Sequence, residues 1–95
     1  MRGRAQLGIM VANATAYNYE PGALIVTVNE GSCCEKAGLA EGDIIVAAGG
    51  SPVAGTADLL ELKKDWAPGD RVELTIHRGE QTMTVTVTLD EEKPE

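Results

Sequence analysis

Phenylalanine is absent from this sequence, and its aromatic residues are Trp66, Tyr17 and Tyr19. Whatever core it builds is therefore aliphatic, drawn from Val, Leu and Ile. Cysteine occurs only as the adjacent pair Cys33 and Cys34. Neighbouring residues cannot staple distant segments, and a bond between them needs a strained small ring outside the usual Cα separation. A reduced, packed pair is expected. No Cys-x-x-Cys or Cys/His ligand set exists, so structural zinc is excluded, and neither a metal nor a cofactor is expected. His77 is the single histidine. Ser32 and Ser51, the serines, read as a cap and a turn, so no Ser-His-Asp arrangement can be assembled. No catalytic residue is assigned. Positive charge is also sparse: eight Lys+Arg against 15 Asp+Glu give a net charge of -7. That balance excludes nucleic acid, whose binding depends on cations neutralising phosphates. No apolar run approaches the ~20 residues of a membrane span. The N-terminus lacks the apolar segment of a secretory signal. Neither a signal nor membrane contact by this segment is expected.

What the chain does have is enough for one domain. It has 95 residues, 43% of them hydrophobic and 24% charged, in the range of a globular protein. Leu7 to Val11 reads as a short strand, Ala12 to Gly22 as a loop with one helical turn. The β-branched run Leu24 to Val28 is a strand. Ser32 can N-cap a short helix over Cys33 to Ala37, with Glu35 completing a capping box and Gly38 stopping it. Ile44 to Ala47 is the next strand, and Ser51 to Val53 a brief edge piece, since Pro52 cannot donate to a ladder. Thr56 is placed as the N-cap of a helix over Ala57 to Trp66, with Leu59, Leu62 and Trp66 on its buried face. Val72, Leu74 and Ile76 alternate with polar residues, and Gly79-Glu80 turns the chain into a second alternating run, Met83, Val85, Val87 and Leu89. His77 falls on the polar side of its strand, and Gly42-Asp43 reads as a turn before a strand. From Asp90 the chain is acidic and expected to fray. The domain is placed at residues 1–90 and an acidic tail at 91–95. Short strands with one short and one longer helix give an α+β class: a five- to six-stranded, partly open barrel or sandwich capped by the helices.

The segment Gly3-Arg4-Ala5-Gln6-Leu7-Gly8-Ile9 carries the chemistry. An apolar-Gly-apolar triplet entering a strand can turn successive N–H groups toward one point, which makes an anion site. Arg4 is near enough to add a charge. If the following strand is an open edge, the site can capture a peptide carboxylate while the strand pairs with the peptide backbone.

Around that segment the chain resembles a PDZ domain, of the type attached to bacterial HtrA (DegP-like) trypsin-fold serine proteases. The resemblance runs through Arg4-x-x-Leu7-Gly8-Ile9 and Gly22-Ala23-Leu24-Ile25-Val26 to Gly31-Ser32-x-x-Glu35-Lys36-Ala37-Gly38-Leu39 and Gly42-Asp43-Ile44-Ile45. It continues through Gly50-Ser51-Pro52-Val53, Asp58-Leu59 and Pro68-Gly69-Asp70-Arg71-Val72 into the last alternating strand. The resemblance implies a groove between the Leu7–Val11 strand and the Ala57–Trp66 helix. It implies that a carboxylate sits on the N–H groups of Leu7, Gly8 and Ile9, with Gln6 in the same loop and Arg4 supporting it directly or through water. Met10, Val11, Thr56, Leu60, Lys63 and Lys64 become the groove, with Leu7, Ile9 and Leu60 around the last side chain. The ligand is then a peptide or protein C-terminus ending in a small or medium aliphatic residue. Two roles for Lys63 stay open: narrowing the pocket with its stem, or favouring an acidic residue upstream. Gly8→Val is expected to abolish binding while leaving the fold largely intact.

The same resemblance implies a partner, the parent protease domain, and a parent that works outside the cytoplasm; another membrane-linked protease is the alternative parent. The chain itself is read as no enzyme. Two other classes are weighed against the peptide reader: an enzyme working through Cys33 and Cys34, and an assembly module binding internal segments or a neighbouring domain.

Overall fold

The computed structural model describes residues 5–91. Its strands, in chain order, are β1 (Ala5–Gln6), β2 (Ile9–Asn13), β3 (Ala23–Val28), β4 (Ile44–Ala48), β5 (Ser51–Pro52), β6 (Arg71–Arg78), β7 (Gln81–Thr88) and β8 (Asp90–Glu91). Two helices, α1 (Cys33–Lys36) and α2 (Thr56–Lys63), and a 3-10 turn at Ala14–Tyr17 complete it. The main sheet has six antiparallel strands in the order β2-β3-β4-β6-β7, with β5 paired to β4; β1 and β8 form a separate pair. This is the expected α+β class.

Period-two patterning sets the sheet's inner face. Val72, Leu74 and Ile76 are buried, while Arg71 and Glu73 are exposed. On β7, Val87 is buried and Thr82, Thr84, Thr86 and Thr88 are exposed. The middle strands are covered on both faces. Ala23, Ile25 and Ile45 belong to the main core, whereas Leu24 and Ile44 join Ala14 in a small cluster on the other side. That explains why β3 and β4 read as unbroken apolar runs and not as alternating ones.

The helix boundaries differ from the sequence expectation. Gly55, not Thr56, takes the N-cap position of α2, and its missing side-chain cap is supplied from a distance. Asn13 Oδ1, at the end of β2, accepts from the Thr56 N–H at 2.8 Å and from its hydroxyl at 3.3 Å. The helix ends at Lys63, three residues early, because Asp65 and Trp66 N–H groups bond to the carbonyls of Leu62 and Lys63 in a tighter turn. Trp66 still packs against the core. On α1 the expected cap forms: Ser32 Oγ accepts from the Glu35 N–H at 3.2 Å. Glu35 reaches back to the Gly31 N–H at 2.9 Å, one residue earlier than a standard capping box. At Asp90 and Glu91 the fraying expected of the acidic tail is not seen; the rest of that tail, 92–95, lies outside the described residues. Asp90 and Glu91 pair with Gln6 and Ala5, and Asp90 Oδ2 accepts from the Cys33 N–H at 2.7 Å.

Asp43 is more than a turn residue. It is buried, and Arg78 donates to both its oxygens, at 2.9 and 2.7 Å, while the Ala40 N–H donates at 3.0 Å. Arg78 also donates to the Gly38 carbonyl at 2.9 Å, so the last residue of β6 fixes the turn after α1. Burial opposes the charge on Asp43, but the Arg78 and Ala40 hydrogen bonds and the Arg78 charge outweigh it and hold its carboxyl below the usual range. A depressed folded-state value means that this contribution is complete above the unfolded value of about 4 and is lost as pH falls through the lower folded value. Urea midpoints at pH 6 and pH 3 check this. Asp43→Asn should lose less stability between the two than the parent does; an equal loss contradicts the assignment. His77 is half-buried, its Nδ1 hydrogen-bonded with the Glu20 carboxylate.

Candidate functional site: a groove between an edge strand and a helix

β2 is the terminal strand of the main sheet, and β3 occupies only one of its edges. Among the described residues, the other edge carries no paired strand. Opposite that edge lies α2, which Asn13 ties to β2. Between them is a cavity of about 190 Å³, bordered by Leu7, Gly8, Ile9 and Val11 on one side and Leu59, Leu60 and Lys63 on the other, with Asn29 at the end.

The backbone at Gly8 gives the cavity its polarity. Gly8 has φ +73°, a conformation that costs a side-chain-bearing residue about 1–2 kcal/mol. An added Cβ there would also lie 2.3 Å from Ser32 Cβ, so only glycine fits on both counts. The Leu7 carbonyl accepts from Cys33 Sγ at 3.5 Å. In a planar trans peptide the N–H opposes the C=O, so the Gly8 N–H points away from α1. The Gly8 carbonyl accepts from the Asn29 N–H at 2.8 Å, so the Ile9 N–H points away from β3, toward the unpaired edge. Consecutive donors turned outward in this way make a concavity suited to an anion.

The structure brings Leu7, Gly8, Ile9, Val11, Leu60 and Lys63 together around one cavity. Three other expected residues, Thr56, Lys64 and Met10, do not border it. Thr56 spends its hydroxyl on Asn13. Lys64 pairs with Glu61 at 3.1 Å in solvent, and the exposed Met10 side chain does not border the cavity. Arg4 lies outside the described residues; Gln6 is described only as backbone of β1. Sequence reasoning missed Asn29 and treated Leu59 as core alone, whereas Leu59 is 3% exposed and also floors the cavity. It also missed Asn13, whose bonding partner lies 43 residues away.

Leu60 is 57% exposed, an apolar side chain standing over the groove with little else to cover it. Lys63 is half-buried at the groove wall. A larger cavity of about 340 Å³ lies between α1 and the end of β7, away from the Gly8 and Ile9 donors. The cysteines carry buried thiols. Burial, foremost, pushes both thiols up from their ordinary range, which keeps them protonated and poorly nucleophilic. No group of three or more metal-ligating side chains occurs among the described residues. Nor is any helix among them long and apolar enough to cross a membrane.

Comparison with known proteins identifies the family and the fold. The sequence profile described as "PDZ domain" matches residues 5–89. Protease Do-like 8, chloroplastic, of Arabidopsis thaliana is 35% identical over 89 residues, which cover 82% of this chain and 20% of that protein. The periplasmic pH-dependent serine endoprotease DegQ of Escherichia coli is 35% identical over 80 residues, covering 84% of this chain and 18% of that protein. The chain thus spans about a fifth of the length of these relatives. Among solved structures, the HtrA-type protease AlgW with a decapeptide superposes with a TM-score of 0.84 at 19% identity, over 97% of this chain and 30% of that one. The HtrA3 PDZ domain bound to a phage-derived ligand, FGRWV, superposes with a TM-score of 0.78 at 21% identity, over 92% of this chain and 86% of that one. The profile match spans nearly every described residue, including the Leu7-Gly8-Ile9 loop and both walls of the groove: the chain belongs to the PDZ domain family and resembles the PDZ domains of HtrA/DegP-like serine proteases.

Proposed function

We propose that this domain binds the C-terminal carboxylates of unfolded or cleaved proteins, and that it is the substrate-binding or regulatory domain of an HtrA-like serine endopeptidase acting outside the cytoplasm. The observation that carries the reading is the orientation of the Gly8 and Ile9 N–H groups beside an unpaired strand edge. A carboxylate placed on those donors starts a strand that continues antiparallel along β2, exchanging backbone bonds with it. The last side chain then lies against Leu7, Ile9, Leu59 and Leu60. A cavity of about 190 Å³ suits a small or medium aliphatic residue such as Val, Leu, Ile or Ala. The HtrA3 domain's ligand ends in Val, which supports the same choice here.

Burying such a side chain yields about 1.5–3 kcal/mol. Charge-assisted bonds to the carboxylate add to it, and ordering the peptide subtracts. Affinity on the order of micromolar follows. The proposed partners are therefore protein C-termini and the parent protease domain. The cysteine pair, buried and kept protonated, makes a poor nucleophile for an enzyme reading.

Leu60 provides the test on the protein side. Leu60→Ala should weaken binding of a peptide ending in Val about fivefold, as expected for losing about 1 kcal/mol of apolar contact. Its stability should stay within about 0.5 kcal/mol of the parent, because the side chain is exposed. Titration calorimetry alongside urea unfolding reads both. Unchanged affinity in a normally stable variant would place the peptide elsewhere.

A further inference from the structure

Two hydrogen bonds and one peptide plane behind the Gly8 loop form a continuous path. Asp90 Oδ2 accepts from the Cys33 N–H at 2.7 Å. Cys33 Sγ donates to the Leu7 carbonyl at 3.5 Å. The Leu7–Gly8 peptide plane then sets the direction of the Gly8 N–H, because its C=O and N–H are rigidly opposed. We infer that Asp90 and Cys33 are positioning residues that aim the Gly8 N–H into the groove, so that recognition of a carboxylate depends on β8, the strand that pairs with β1.

The inference rests on the carboxylate-binding reading and adds residues that touch no ligand. A bare thiol is a weak donor, and its bond to Leu7 is long. It is useful only if Cys33 is held still, and the Asp90 bond does that. Asp90 is itself fixed, since β8 pairs with β1, the segment directly before Leu7. The path is thus closed: β8 holds β1 through the ladder and holds α1 through Asp90, and the loop between β1 and β2 is held from both sides. Burial keeps the Cys33 thiol protonated, so it remains a donor at neutral pH. Ser32, the neighbour of Cys33, lies against Gly8 closely enough to exclude a Cβ. A shift of α1 would therefore be felt by the loop sterically as well.

A merely structural role would lower stability and leave selectivity alone. The experiment therefore reads two other quantities. One is the amide resonance and hydrogen-exchange rate of Gly8 in the protein without peptide. The other is the affinity ratio between a hexapeptide ending in Val as the free acid and the same peptide as its C-terminal amide. Cys33→Ala and Asp90→Ala should each move the Gly8 resonance and lower the acid-over-amide ratio about three- to tenfold, the scale of misaligning one charge-assisted hydrogen bond. Asp90→Asn keeps an acceptor oxygen and should stay near the parent in both readouts. If Asp90→Ala does not fold, Cys33→Ala carries the same test. An unmoved Gly8 resonance with the parent's ratio, whatever the melting temperature, overturns the inference. If the parent itself fails to prefer the acid, the carboxylate reading fails, and the Gly8 resonance still decides whether Asp90 and Cys33 position the loop.

Discussion

Gly8→Val should abolish peptide binding and also destabilise the domain by several kcal/mol. The binding loss follows from the loop's geometry, since any change of φ at Gly8 rotates the two N–H groups that flank it. The stability loss follows from two independent costs. Holding a residue with a Cβ at φ +73° costs about 1–2 kcal/mol. Placing that Cβ 2.3 Å from Ser32 Cβ is an overpacking of the kind that costs about 1–3 kcal/mol, and both atoms are anchored to backbone. Valine adds two methyl groups to a space that does not hold one. The sequence alone implied a binding defect in an intact fold; contact with the N-cap of α1 corrects that. Urea unfolding with a far-UV probe, run beside a peptide titration, measures both effects. A variant as stable as the parent would mean that the loop does not sit against Ser32.

Leu74→Ala should cost about 2–5 kcal/mol, the range for deleting a buried leucine side chain. Leu74 is 0% exposed at the centre of the main core, on β6 between β4 and β7. No Phe is present to spread the load, so each aliphatic side chain carries a large share of the packing. Domains of this size hold about 5–15 kcal/mol in all, and each kcal/mol moves the melting point about 4–8 °C. A fall of at least about 8 °C is expected by calorimetry. Leu74 does not border the groove, so affinity measured well below the melting transition should match the parent. A small fall in melting temperature, or a large fall in affinity, would misplace Leu74.

Those two variants mark what the sequence made legible. Alternation in Val72-Leu74-Ile76 and in Met83-Val85-Val87 has a single physical solution, a strand with one wet face, and the structure adopts it. The grouping of Leu7, Ile9 and Leu60 comes from the resemblance to PDZ domains, with helical spacing setting Leu60 on a flank, and the three border one cavity. What was hidden depends on contacts between distant residues. Nothing local to Asn13 says that it caps a helix beginning at Thr56. Nothing local to Asp43 says that Arg78, 35 residues on, will bury its charge. Asp90 looked like the start of a solvated acidic tail, and only the meeting of β8 with β1 turns it toward Cys33. In each case a polar side chain satisfies a backbone group or a charge across the fold, and hydrophobic periodicity carries no record of that.

The central claim is that outward-facing N–H groups at Gly8 and Ile9 receive a terminal carboxylate. The direct test is the dissociation constant of one hexapeptide ending in Val, measured as the free acid and as the C-terminal amide. Removing the charge removes charge-assisted bonds worth about 1.5–3 kcal/mol, so the amide should bind at least about tenfold more weakly. Equal affinity for the two forms would contradict the account.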